Sequence, residues 1–127
     1  MATVQITAKN FAETLKQNGI VLLDWWAPWC GPCRAFGPIY ERVAAANPDI
    51  VFGKVNTEEE PALAGQFNIN SIPTLMIIRD STLLFEQPGM LPEKALADLV
   101  AQARAVDMEK VKKESAKSQP EPRAAAG

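Results

Sequence analysis

Cys30 and Cys33 are the two cysteines of this chain, and two residues separate them in Trp29-Cys30-Gly31-Pro32-Cys33. Two thiols at that spacing can close a small disulfide ring. Loop-closure entropy makes so tight a ring worth only about 2 kcal/mol before strain is subtracted. Such a bond is a poor staple and a good candidate for one that is made and broken. A bare pair of this kind also occurs in zinc sites and in structural bridges. Zinc would need ligands from elsewhere, because the chain has no histidine and no third cysteine. The same lack of histidine removes a Ser-His-Asp triad and a Cys-His nucleophile. Pro32 suits the first turn of a helix, which places Cys30 at the helix N-terminus. Unpaired N–H groups and the helix dipole favour a thiolate there. Cys30 is therefore the expected attacking nucleophile. Cys33, one turn inside and in drier surroundings, is the expected resolving thiol.

Asp24 is the second candidate. It interrupts an apolar strand formed by Val21, Leu22, Leu23, Trp25 and Trp26. A carboxyl group buried there must be paired, solvated or protonated, and burial raises its pKa. Such a group can exchange a proton with a thiol. Equally, the strand can turn Asp24 toward a water-filled gap with no role. Lys54, in Ile50-Val51-Phe52-Gly53-Lys54-Val55, can pair with a buried carboxylate or extend out of a strand end. Trp29 is expected at the surface beside the nucleophile, as an apolar docking element. Trp26, at the strand end, is expected to pack.

The elements that position these residues follow from periodicity. Val4 and Ile6 alternate with polar neighbours as a short strand. Ala8, Phe11, Ala12 and Leu15 form one helical stripe that ends by Gly19. Ile20 to Trp26 is apolar on both faces, as in a central strand. Pro32 to Ala46 reads as a helix with Pro38 inside it, where a kink is expected. Ile50 to Val55 is a strand and Pro61 to Phe67 a short helix. Ile72 to Ile78 and Thr82 to Glu86 are strands close enough for a hairpin. Pro92 to Val106 closes the domain as a helix. This order implies an α/β layering, with helices on both faces of a mixed central sheet of about five strands.

The bounds from composition agree. The chain has 127 residues and a mass of 13.8 kDa, 47 % apolar and 22 % charged, which is one soluble domain. The net charge of −2 argues against a nucleic-acid or membrane-surface binder. No secretory signal is read at the N-terminus, and no apolar run is long enough to span a bilayer. A cytoplasmic setting is expected, where thiols are held reduced. Residues 107–127 are dense in charge and lack aromatics, so they read as a flexible tail after a domain of residues 1–106. The last helix is expected to run on into the start of that tail.

The stretch Leu22-Leu23-Asp24-Trp25-Trp26-Ala27-Pro28-Trp29-Cys30-Gly31-Pro32-Cys33-Arg34 resembles the active-site signature of the thioredoxin family. Pro38, Lys54, Ile72-Pro73-Thr74 and Gly89 continue the match in order and spacing, over about Val4 to Val106. The resemblance implies the thioredoxin fold and protein-disulfide reductase activity. It implies that Asp24 lies behind the cysteines and helps deprotonate Cys33, and that Lys54 neighbours Asp24 in the sheet. It implies a cis bond before Pro73, packed against the disulfide. Ile72 is then free to pair with an extended substrate segment. Trp29, Gly31, Pro32, Ile72, Pro73, Gly89 and Met90 would form the substrate-docking surface. No bound cofactor is implied beyond the Cys30–Cys33 redox disulfide. The implied partners are an NADPH-dependent flavoprotein, thioredoxin reductase, and disulfide-containing proteins, with the chain itself a monomer. A disulfide oxidase or isomerase of the same fold, or a non-catalytic scaffold subunit, is the alternative. The chain departs from the common pattern at Trp25, Arg34, the Asp80-Ser81 turn and Pro88. Pro88 removes one backbone donor from the docking rim.

Overall fold

Hydrophobic alternation along each strand decides which face meets which helices. The computed structural model describes residues 2–17, 19–111 and 113. Nine elements follow one another: β1 (Thr3–Gln5), α1 (Phe11–Gln17), β2 (Ile20–Trp26), α2 (Gly31–Ala46), β3 (Val51–Asn56), α3 (Pro61–Gln66), β4 (Thr74–Arg79), β5 (Thr82–Pro88) and α4 (Glu93–Ala105). The five strands form one sheet in the order β1-β3-β2-β4-β5. β3 runs parallel to β1 and β2, while β4 is antiparallel to β2 and β5. The expected mixed sheet of five strands is therefore present. β2 lies at its centre, which is why that segment is apolar on both sides.

Even-numbered β2 residues face α2 and α4. Leu22 joins Phe52, Leu75 and Ile77 in a core with Phe36, Tyr40, Val43, Leu96 and Val100. Odd-numbered residues face α1 and α3, where Val21, Leu23 and Trp25 pack with Ile6, Val55, Leu63 and Met76. Gly53 is the tightest point of this second face. A Cβ there would lie 2.6 Å from Ile6 Cγ1 and 3.2 Å from Leu23 Cδ2, so a side chain would force its neighbours to shift.

Several boundaries differ from the sequence reading. The first helix begins at Phe11 rather than Ala8. The Asn10 side chain accepts from the Thr7 N–H at 2.8 Å and stabilises a turn before the helix. β4 begins at Thr74 rather than Ile72, because Pro73 has no N–H to donate to the ladder. Asp80 and Ser81 make the hairpin turn with φ of 53° and 65°, the left-handed pair that a two-residue hairpin needs. The last helix does not simply run on. It ends at Ala105, and Val106 is extended. Asp107 Oδ1 then accepts from the N–H groups of Glu109 and Lys110, which starts a separate helical segment. The rest of the proposed tail lies outside the described residues. No helix among the described residues is long and apolar enough to cross a membrane.

Candidate active site

The cysteines sit where β2 gives way to α2. Cys30 is the N-cap of α2 with extended backbone angles (φ −86°, ψ 115°), and Pro32 stands in the first turn. Cys30 and Cys33 are joined by a disulfide, with Cα atoms 5.2 Å apart. The Cys33 N–H donates to Cys30 Sγ at 3.2 Å. Sulfur therefore occupies the place that a Ser or Asp oxygen takes in an ordinary N-cap, facing an orphan N–H at the positive end of the helix dipole. The two cysteines differ little in exposure, at 5 % for Cys30 and 3 % for Cys33. The expected dryness of Cys33 thus does not separate them in the disulfide form. The cap position does.

Ala27, Cys30 and Cys33 form a small buried cluster, with Trp26 and Ile72 packed on it. Cys30 Sγ lies 3.8 Å from the Ile72 carbonyl oxygen, across 42 residues of sequence. The Ile72–Pro73 bond that follows this carbonyl is cis. The Gly89 N–H donates to the Pro73 carbonyl at 2.8 Å, so the end of β5 is fastened to the same loop. Gly89 has φ of +93°, a conformation that favours glycine. The structure therefore gathers Cys30, Ile72, Pro73 and Gly89. Trp29, Gly31, Pro32 and Met90 are exposed beside these. A Cβ on Gly31 would meet nothing within 4 Å, so open space surrounds this first residue of α2.

Asp24 is fully buried on the α2 face of β2. Neither carboxyl oxygen has a hydrogen-bond partner among the described residues. Burial pushes its pKa from 3.8 to about 7, and the Lys54 charge partly offsets this. Lys54 is the register partner of Asp24 across β2 and β3. Its ammonium lies 4.7 Å from the Trp26 ring centroid, a cation–π distance. Tyr40 completes the neighbourhood. Its hydroxyl donates to the Gly53 carbonyl at 2.8 Å, and burial together with the Asp24 charge raises its pKa. A groove of about 670 Å³ opens beside this region and is lined by Trp26, Pro38, Lys54, Asn56 and Glu41, among others.

One contact was not foreseen. The Trp29 indole N–H donates to the Glu58 carboxylate. The Asn56 side chain shapes the loop that presents Glu58, accepting from the Glu58 N–H at 2.9 Å. Only the acidic run Glu58-Glu59-Glu60 hinted that this loop was polar, and nothing local pointed it at Trp29. No cluster of three or more potential metal ligands occurs among the described residues.

The sequence profile of the thioredoxin family matches residues 2–102. A putative thioredoxin 2 of Streptomyces coelicolor is 56 % identical over 118 residues, covering 93 % of this chain and 88 % of that protein. The thioredoxin of Bacillus subtilis is 38 % identical over 102 residues, covering 79 % and 96 %. Among solved structures, a mutant thioredoxin from Halobacterium salinarum superposes with a TM-score of 0.74 at 30 % identity, over 79 % of this chain and 88 % of that one. Chloroplastic thioredoxin z superposes with a TM-score of 0.76 over 84 % and 97 %, and at 24 % identity supports the fold alone.

Proposed function

From the premise that the chain belongs to the thioredoxin family, we propose a role for each residue of the site. The protein is a thiol-disulfide oxidoreductase, a protein-disulfide reductase that works by dithiol–disulfide exchange. In the reduced form, Cys30 thiolate attacks one sulfur of a substrate disulfide. That S–S bond breaks, the other substrate sulfur leaves as a thiolate, and a mixed disulfide forms. Cys33 then passes its proton to the Asp24 carboxylate and attacks Cys30 Sγ. The second substrate sulfur leaves, and the two cysteines are joined. Asp24 is suited to the transfer because a pKa of about 7 leaves it able to accept and return a proton near neutrality. Lys54 keeps that pKa from rising further.

Substrate docks on Trp29, Gly31, Pro32, Ile72, Pro73, Gly89 and Met90. Support comes from the 64 % exposure of Trp29 and from Ile72 lying outside the ladder, which starts at Thr74. Its backbone is placed to pair with an extended segment. The partners are disulfide-containing proteins and an NADPH-dependent thioredoxin reductase that restores the dithiol. The setting is cytoplasmic and the chain monomeric. Residues 1–106 form the working domain and residues 107–127 a dispensable tail. No bound cofactor is needed, since the disulfide itself carries the two electrons.

The single observation that carries this assignment of roles is the Cys33 N–H donating to Cys30 Sγ at the cap of α2. Insulin disulfide reduction driven by NADPH and a thioredoxin reductase tests it. Turnover that requires both cysteines supports the roles. Full activity of a double Cys30→Ser, Cys33→Ser variant in cells would instead favour a scaffold. A redox titration separates reductase from oxidase or isomerase, since known potentials run from about −270 mV for thioredoxins to about −120 mV for a strong periplasmic oxidant.

A further inference from the structure

Met90 stands out among the sulfur-bearing side chains. It is 40 % exposed, whereas Met76 is 2 % exposed and both cysteines are buried and bonded to each other. Met108 is half-buried and belongs to the segment after α4. In the disulfide form, then, Met90 is the most exposed sulfur-bearing residue among the described residues. Its place is set by Gly89, whose N–H is bonded to the Pro73 carbonyl. Pro73 in turn follows Ile72, whose carbonyl touches Cys30 Sγ. Met90 is thus held one residue from the loop that faces the redox disulfide.

We propose that Met90 is an oxidation site, at which a hydroperoxide converts the thioether to a sulfoxide and so weakens docking of protein substrates. The sulfur lone pair attacks the terminal peroxide oxygen, the O–O bond breaks, and an S–O bond forms. With hydrogen peroxide the departing fragment takes up a proton and leaves as water. Sulfur loses two electrons and the peroxide gains them. An apolar, flexible contact becomes a polar one on a rim whose other large exposed element is the Trp29 indole. The disulfide form accumulates when oxidant outruns reductase, so this is also the state in which the thioether is the available target. The effect on turnover rests on the docking role of this surface.

The test treats the disulfide form with hydrogen peroxide and locates the added oxygen by peptide mass spectrometry. The cysteines are then reduced with dithiothreitol, which leaves a sulfoxide intact. Rates are measured with insulin and with a small aromatic disulfide that needs little docking. The expected result is preferential oxidation of Met90 and an insulin KM raised by about threefold to tenfold, with the small disulfide reduced as before. Met90→Leu, compared with itself before and after peroxide, should show no shift, and Met90→Gln should reproduce the raised KM. Oxidation that spares Met90, an unchanged insulin KM with Met90 oxidised, an equal loss for both substrates, or the same shift in Met90→Leu overturns the proposal. Trp29→Ala separates this from the docking reading. If it raises the insulin KM while Met90 oxidation does not, the surface docks substrate and only the Met90 inference falls. If neither does, the docking surface itself is wrong.

Discussion

Asp24 and Lys54 face each other in register across β2 and β3, yet the Lys54 ammonium rests on the Trp26 ring, 4.7 Å from its centroid. Lys54 therefore acts on the buried carboxyl group through space and does not neutralise it. Had the two formed a close ion pair, Asp24 would titrate as an ordinary low-pKa carboxylate. Held at this remove, it stays near 7, which is where proton exchange with a thiol is useful.

The raised pKa makes stability depend on pH, with a definite sign. Between about pH 4, where an unfolded Asp ionises, and about pH 7, the folded protein binds more protons at this site than the unfolded chain does. Stability should therefore fall as pH rises through that window, by up to about 4 kcal/mol for a shift of this size. Asp24→Asn should remove this downward contribution and be the more stable protein at pH 8. Urea titrations of the disulfide form at several pH values measure this. Equal slopes in the two proteins would place Asp24 in contact with solvent.

Loss of the lysine charge should act in the opposite direction to loss of the carboxyl. Lys54→Gln removes the one interaction that lowers the Asp24 pKa, so the midpoint should move above 7. With less Asp24 ionised, resolution of the mixed disulfide at pH 7 should slow about threefold. Lys54→Arg should restore most of the rate. Carboxyl NMR of Asp24 gives the midpoint, and stopped-flow mixing gives the rate.

Cap position predicts the order of thiol reactivity. In the reduced protein, Cys30 should be alkylated first near neutral pH, because its sulfur receives the Cys33 N–H at the helix N-terminus. Brief iodoacetamide labelling followed by peptide mass spectrometry reads this directly, and preferential labelling of Cys33 would reverse the roles. Cys33→Ser should accumulate mixed disulfides, since no second thiol remains to release them.

Gly53→Ala tests the packing of β3 against Ile6 and Leu23 on the other face of the sheet. The new methyl would lie 2.6 Å from Ile6 Cγ1, so β1 or the Ile6 side chain must shift. A destabilisation of about 1–3 kcal/mol is expected from such overpacking. Chemical denaturation at fixed pH should show it, while an unchanged midpoint would mean that β1 yields freely.

Two truncations define the end of the working domain. Arg79 donates to the carbonyls of Ala103, Arg104 and Val106 at 2.9, 3.1 and 3.3 Å. A chain ending after Val106 keeps all three contacts and should retain reductase activity within about twofold. A chain ending after Gln102 loses them, together with buried Ala103, and should melt several degrees lower. A tenfold activity loss in the longer form would show that the tail takes part in catalysis.

Much of this was readable along the chain because it depends on short-range pattern. The alternation of β2, the stripe of α4 and the Pro32 start of α2 each reflect local geometry, and each element formed close to its expected place. The chemistry was equally local. A strand that ends in Trp26, followed four residues later by Cys30 and then by Gly31-Pro32-Cys33, puts one sulfur at a helix cap wherever that segment folds.

What the pattern did not contain was the apposition of distant segments. The Ile72 carbonyl meets Cys30 across 42 residues, Glu58 holds Trp29 across 29, and Arg79 caps α4 across 24 to 27. Strand order and register set these meetings, and no neighbouring residue records them. The start of β4 was misplaced for the same reason, since the turn at Pro73 is held between Cys30 and Gly89 rather than by its own neighbours. By itself the sequence determined which atoms could exchange electrons. Only the tertiary structure decided how dry Asp24 is and how far Lys54 stands from it, because burial and through-space charge depend on everything packed around the group.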